Sequence, residues 1–325
     1  MNYKKPKYFY PIPSKKLPLT LISLEEWVLV TIQGKNKIQY LQDQLTCNMF
    51  SLKEHQFNFS AHCDVNGKVL SNLYIFNYKK ENAIAYIVRK NICNKQVMEL
   101  KKYSIFSKVA INIRNDILLL GLSGKTSQKI FMTLFNNTFN LTLKPVMQNN
   151  HFVSLYFNYP IPRFIFIASK KNIYKLQNKL KNTAKFNNSE QWALLDLEAG
   201  YPIINKETYK TFLPQDLNLV KLKGVNFNKG CYMGQEIILR YQNKKKTKFS
   251  LYLLTGKNKY TPIPGENLEI KLNNQWYFIG KILYCCRINN NNIWIQATLN
   301  ERILPHNKII RTEKKHIILM ILYIN

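Results

Sequence analysis

Apolar positions in this chain follow one rhythm up to about residue 243 and another from residue 249. The run "EWVLVTIQG" (residues 26–34) is largely apolar and stops at a glycine, which predicts a buried strand. Ile38, Leu41 and Leu45 then recur at three- and four-residue steps, the period of a helix with one inward face. In "FNFSAHCDVNGKVLSNLYIF" two strand-like runs flank Asn66-Gly67, a pair that tolerates the positive φ angles of a type I′ hairpin turn. "NAIAYIVRK" adds a strand, and "KQVMELKKYSIF" a helix with Val97, Leu100 and Tyr103 on one stripe. "ILLLGLSG" predicts a buried strand ending at Gly121 or Gly124.

The same mixture continues with a strand, "RFIFIAS", and a helix, "KKNIYKLQNKLKN", that turns Ile173, Leu176 and Leu180 inward. "NNSEQWALLDLEAGYP" carries helix boundaries: Ser189 to cap the first turn, Glu190 at its positive end, then Gly200 and Pro202 to stop it. From Phe249 the pattern becomes short strands ("FSLYLLTG", "WYFIGKILYCC", "NNIWIQATL") between Asn, Pro and Gly clusters, the signature of a small all-β barrel. The tail "HIILMILYIN" reads as a last strand. These shifts divide the chain into residues 1–243 and 244–325.

Charge changes this picture less than its size suggests. A net charge of +30 favours polyanions in general. Yet only seven of the 48 basic residues are arginine, and lysine, asparagine and isoleucine all share A/T-rich codons, so most of the excess reads as compositional. The dense run Lys244, Lys245, Lys246 and Lys248 reads as a solvated linker. No run of about 18 apolar residues is present, and the basic, proline-broken N-terminus lacks the form of a signal peptide, so a cytoplasmic protein is expected. The six cysteines form no CxxC pair and read as reduced thiols, with no metal site.

One of them stands apart. In "KGCYMGQE" Cys231 lies between Gly230 and Gly234, with Lys229 before it and Gln235-Glu236 opening a helix after it. Glycines at such positions admit close backbone approach or positive φ, and a thiol between a lysine and a helix N-terminus is expected to ionise more readily. The bland alternative is a Gly-rich loop with an incidental cysteine.

With Arg240 four residues on, this stretch resembles the motif of the YgfZ family, folate-binding tRNA-modifying proteins related to the aminomethyltransferase (T-protein) of the glycine cleavage system. "LPLTLISLEEWVLVTIQG", "SAHCDVNGKVLSNL", "ELKKYSIFSKV", "NNSEQWALLDLEAGYPII" and "FLPQDLNL" resemble further family segments in the same order, from about residue 17 to about residue 300. The resemblance implies an α+β, T-protein-like multi-domain architecture: antiparallel sheets flanked by helices, two intertwined subdomains within 1–243, and a small C-terminal barrel. It also implies folate (tetrahydrofolate or a derivative) as cofactor. Trp27 and Trp192 match the family's folate-associated tryptophans, although the residues alone read as core aromatics. Lys229, Gly230, Cys231, Tyr232, Gly234, Gln235, Glu236 and Arg240 form the motif of a reactive thiol next to a folate site.

The function implied is an accessory role in tRNA modification, through support of iron–sulfur enzymes that include the tRNA-methylthiolating type, by a monomer without membrane association. Two other readings stay open: an aminomethyltransferase-type enzyme, and a basic module that contacts tRNA directly.

Overall fold

The computed structural model describes residues 10–135, 140–243, 248–304 and 309–322. Within these, no helix is long and apolar enough to cross a membrane. Of the lysine run, only Lys248 lies among the described residues. In chain order the elements are β1 (Thr20–Ser23), β2 (Trp27–Gln33), α1 (Lys37–Gln44), β3 (Phe57–Cys63), β4 (Val69–Tyr78) and β5 (Ala83–Arg89). Then come α2 (Lys90–Ser107), β6 (Ala110–Arg114), β7 (Ile117–Ser123), α3 (Ser127–Phe135), β8 (Val146–Gln148), β9 (Val153–Phe157) and β10 (Arg163–Ser169). α4 (Lys170–Leu180), β11 (Lys185–Asn187), α5 (Ser189–Glu198) and α6 (Gln235–Asn243) follow. The last strands are β12 (Phe249–Lys257), β13 (Asn267–Leu272), β14 (Gln275–Arg287), β15 (Asn292–Asn300), β16 (Ile310–Thr312) and β17 (Ile318–Ile321).

The chain divides into two units and passes between them several times: Met1–Leu41, Met49–Asn58 and Leu73–Leu195 make the first, and Gln42–Asn48, Phe59–Asn72 and Asp196–Asn325 the second. In the first, a six-stranded sheet runs β11-β1-β7-β10-β9-β8, antiparallel except for β1 and β11. Its core combines Leu120, Leu122, Phe164 and Phe166 with Phe131 of α3 and the stripe Ile173, Leu176 and Leu180 of α4, as the helical period predicts. Phe131 stacks on Phe164 at 4.1 Å between centroids, an arrangement worth about 0.5–1.5 kcal/mol beyond its buried area.

A five-stranded sheet runs β3-β4-β5-β2-β6, and the far ends of β3 and β4 (residues 59–63 and 69–72) belong to the second unit. Two helix stripes differ from expectation. On α1, Tyr40 and Leu41 are buried while Ile38 is exposed, because the Tyr40 hydroxyl bonds the carbonyl of Leu100 at 2.5 Å and turns that side inward. On α2, Val97 and Leu100 are buried, but Ser104 rather than Tyr103 takes the next inward place. β7 runs through Gly121 and ends before Gly124.

The turn between β3 and β4 is also not the expected type I′. Only Gly67 of the Asn66-Gly67 pair has positive φ (69°). The Asp64 carboxylate accepts from the amides of Asn66 (3.0 Å) and Lys68 (2.9 Å), and the Gly67 amide bonds the Asp64 carbonyl at 2.9 Å. That side chain stabilises a four-residue turn closed by a left-handed glycine, so Asp64 overrides the two-residue alternative. At α5 the cap is Asn188, whose side-chain oxygen accepts from the Glu190 amide at 3.2 Å. The Ser189 hydroxyl instead donates to Glu25 at 2.8 Å. Gly200, at φ 72°, ends the helix as the sequence predicts.

In the second unit β12-β15-β14-β13-β16-β17 close into a barrel. The barrel holds a core of Leu254, Leu268, Ile270, Ile279, Ile282, Ile293 and Ile295. The tail does supply its last strand, β17, paired with β12 and β16.

Candidate functional site

Residues 229–236 form an irregular loop that runs into the first turn of α6. Within it burial alternates sharply: Lys229 and Tyr232 are buried, whereas Gly230 and Cys231 are exposed. The Lys229 ammonium donates to three backbone carbonyls, those of Gln42 (2.5 Å), Leu45 (2.6 Å) and Cys47 (2.9 Å). These lie at and just beyond the C-terminus of α1, where helix carbonyls have no intrahelical partner. Burial lowers the Lys229 pKa to about 8, so the group is still mostly the ammonium at pH 7.

Its three donors are thus taken up by carbonyls at the end of α1. It serves as an anchor.

The Tyr232 ring lies 4.9 Å from the same Nζ, and burial raises the Tyr232 pKa, with Cys63 adding to the effect. The Tyr232 hydroxyl has no hydrogen-bond partner among the described residues. The Met233 amide bonds the Asp43 carbonyl at 3.0 Å, and the Gln235 side chain reaches back to the Lys229 carbonyl at 3.4 Å. Gly234, at φ 80°, packs on the β3–β4 turn so closely that an added Cβ would sit 2.4 Å from the Asp64 carbonyl oxygen. Gly230 differs from expectation: nothing lies within 4 Å of a Cβ placed there, and its φ is not in the left-handed region. Glu236 and Arg240 form an exposed pair on α6 at 2.9 Å.

The floor beneath the loop is tied by backbone. Thr46 is the knot: its hydroxyl donates to the Gly224 carbonyl (2.6 Å) and accepts from the Ala61 amide (2.9 Å), while its carbonyl accepts from the Asn226 amide (2.9 Å). The tail of α1, the strand β3 and residues 224–226 are thereby held in one register. Cys47, Cys63, Cys93 and Cys286 are buried, and Cys231 is the exposed cysteine.

The two tryptophans have different surroundings. Trp27 opens β2 opposite Arg89, whose guanidinium lies 4.5 Å from the ring centroid. Trp27 borders a pocket of about 230 Å³ also lined by Glu25, Lys90, Arg114 and Tyr174. Trp192, on α5, is fully buried. It lies under the Arg163 guanidinium (4.5 Å) and edge-on to Phe157 (5.8 Å, 80°). A Cβ at Gly121 would come within 2.9 Å of the indole, so this mid-strand glycine is what admits the ring. The indole Nε1 has no partner among the described residues.

Comparison with known proteins gives the geometry a family. A family model described as the YgfZ β-barrel domain matches residues 247–315. Over 322 residues the chain is 41% identical to the tRNA-modifying protein YgfZ of Blochmanniella pennsylvanica, covering 97% of each protein. The chain belongs to the YgfZ family. It is also 43% identical over 312 residues to the tRNA-modifying protein YgfZ of Buchnera aphidicola subsp. Schizaphis graminum, covering 95% of this chain and 96% of that one. The Sodalis glossinidius protein of the same name is 42% identical over 290 residues, 89% of this chain and 88% of that one.

Among solved structures, the glycine cleavage system aminomethyltransferase T from Bartonella henselae superposes with a TM-score of 0.75, covering 94% of this chain and 85% of that one at 14% identity. That likeness establishes the fold: the α+β, T-protein-like architecture with a C-terminal barrel expected of a YgfZ chain.

Several site-shaping residues of this YgfZ chain gave no signal of their own in the sequence. Thr46, Arg89 and Arg163 act through partners far along the chain, which residue patterning does not reach. Gly121, isolated inside an apolar strand, did carry one, since a glycine there marks a close approach.

Proposed function

We propose that this chain is a folate-binding accessory protein for tRNA modification, with the Cys231 thiol as its working group and iron–sulfur enzymes of tRNA modification as its clients. The observation that carries this reading is a cysteine held in solvent between two buried anchors, Lys229 and Tyr232, while four other cysteines are buried. A loop that only happened to contain a cysteine would not require an ammonium, a tyrosine and a left-handed glycine to fix it.

Two comparisons support the rest. Its relatives are named tRNA-modifying proteins, and its fold is that of an aminomethyltransferase. Of the two tryptophans, Trp27 borders a pocket, so we assign it the contact with a flat heteroaromatic ring. Trp192 contributes through the packing of its neighbours.

Cells lacking this protein and supplied with Cys231→Ala should show methylthio-tRNA at the level of the empty control, while the variant keeps the native urea midpoint. Full complementation would remove the thiol from the mechanism. For folate, tetrahydrofolate should quench tryptophan fluorescence in the native chain and in Trp192→Phe, and much less in Trp27→Phe. No quenching in any of the three sinks the folate assignment. The likeness to aminomethyltransferase T favours a second reading, one-carbon transfer to tetrahydrofolate, which requires turnover of an aminomethylated lipoyl donor by the purified chain.

A further inference from the structure

We propose that Lys229 is the positioning residue of the thiol loop, an internal ammonium seated in a three-carbonyl socket at the end of α1. This deepens the reading of Cys231 given above and rests on it for its importance to function, but not for its geometry. Three acceptors at 2.5, 2.6 and 2.9 Å match the three donors of one ammonium, a group that otherwise resists burial. All three are backbone atoms, so the socket is fixed by chain path and needs no particular side chain at Gln42, Leu45 or Cys47.

The socket is itself rigid, because Thr46, between two of its carbonyls, is tied to Ala61, Gly224 and Asn226. Lys229 joins that frame to a loop whose next fixed points are Tyr232, buried, and Met233, bonded to Asp43. Cys231 therefore has one anchored residue two positions before it and another directly after it, which leaves its backbone little freedom. A planar guanidinium does not present three donors on a single nitrogen to three converging carbonyls, so arginine is a poor substitute here. The groups that face the ammonium beyond the carbonyls are Asp43, Cys47 and the Tyr232 ring.

The test is chemical rescue, read by hydrogen exchange on the full-length chain. Lys229→Ala should speed amide exchange in residues 231–235 at least tenfold and leave the β12–β15 ladder of the barrel unchanged. Propylammonium, which restores the missing carbons and three donors, should slow that exchange again. Tetramethylammonium, of equal charge but without donors, should not. Lys229→Met, which keeps an apolar stem, should show the same local loosening if the alanine variant folds poorly.

Unchanged exchange in both variants, or loosening that spreads equally to the barrel, overturns the proposal. So does rescue by both cations alike. Cys231→Ala separates this proposal from the functional one, because it should abolish complementation while leaving exchange in the loop native. If that variant complements, the thiol loses its role and the socket still stands.

Discussion

The thiol loop and the nest around Trp192 both hold a residue of interest in place, and they do so in opposite ways. In the loop, neighbours are buried so that Cys231 is exposed. In the nest, Trp192 is itself the buried element, and Gly121, Phe157 and Arg163 are shaped around it. An exposed side chain on a heavily anchored loop points to chemistry, since stability alone does not need it. An enclosed indole supports the fold whether or not a ligand is ever bound, so its presence in a motif says less.

The contrast is sharpest where its predicted effects are largest. Trp192→Ala should cost about 3–5 kcal/mol in urea unfolding, the range for emptying a buried aromatic site. A loss below about 1 kcal/mol would mean that the indole is not structural and would reverse the contrast.

A pH effect comes next, from the turn that supports α6. Gln215 bonds the Ile238 carbonyl at 2.8 Å, and its neighbour Asp216 accepts from the Leu213 amide at 2.9 Å. Burial raises the Asp216 pKa to about 6, against an opposing contribution from that amide. The folded state therefore binds this proton more tightly than the unfolded chain. The stability it contributes is fully present below about pH 4 and is lost as pH rises through about 6, roughly 3 kcal/mol in all. Asp216→Asn should flatten the change in urea midpoint between those pH values. A native-like slope in that variant would assign the dependence to another group.

Two glycines of the motif make a matched pair inside the loop. Gly234→Ala meets both a left-handed φ and a 2.4 Å contact, and should cost about 2–3 kcal/mol. Gly230→Ala meets neither and should stay within about 0.5 kcal/mol. Equal losses at both positions would show that the loop is held differently. The smallest effect belongs to Glu236 and Arg240: Arg240→Gln should shift stability by no more than about 0.5 kcal/mol, since both side chains are exposed. If it nonetheless lowers methylthio-tRNA in cells, Arg240 serves a partner rather than the fold.

What the sequence made legible is what periodicity and local chemistry control. The Ile173, Leu176 and Leu180 stripe, the strands β12, β14 and β15, the glycine stop at Gly200 and the start of α6 all follow from residue spacing. The strands β8, β11 and β16, three residues each, are too short to carry a period, and they form because longer neighbours present free edges. Ser189 is the cap that the sequence suggests, and the structure uses Asn188 instead. Glu25, 164 positions away, takes the serine and leaves the cap to asparagine. Within the motif, Cys231 and Gly234 were legible as a presented thiol and a strained turn. Lys229 was not, because its partners lie more than 180 positions away and adjacency to Cys231 suggested a different use.

That separation also sets an order of events during synthesis. The second unit is assembled from residues 42–48, 59–72 and 196–325, so its earliest pieces leave the ribosome long before their partners. Thr46 can bond Ala61 early, but its contacts to Gly224 and Asn226, and the Lys229 ammonium in its three-carbonyl socket, come only when those residues emerge. The segment bearing the thiol is thus among the later parts to acquire its shape, and a nascent chain halted near residue 200 holds a nearly complete first unit and lacks Cys231 altogether.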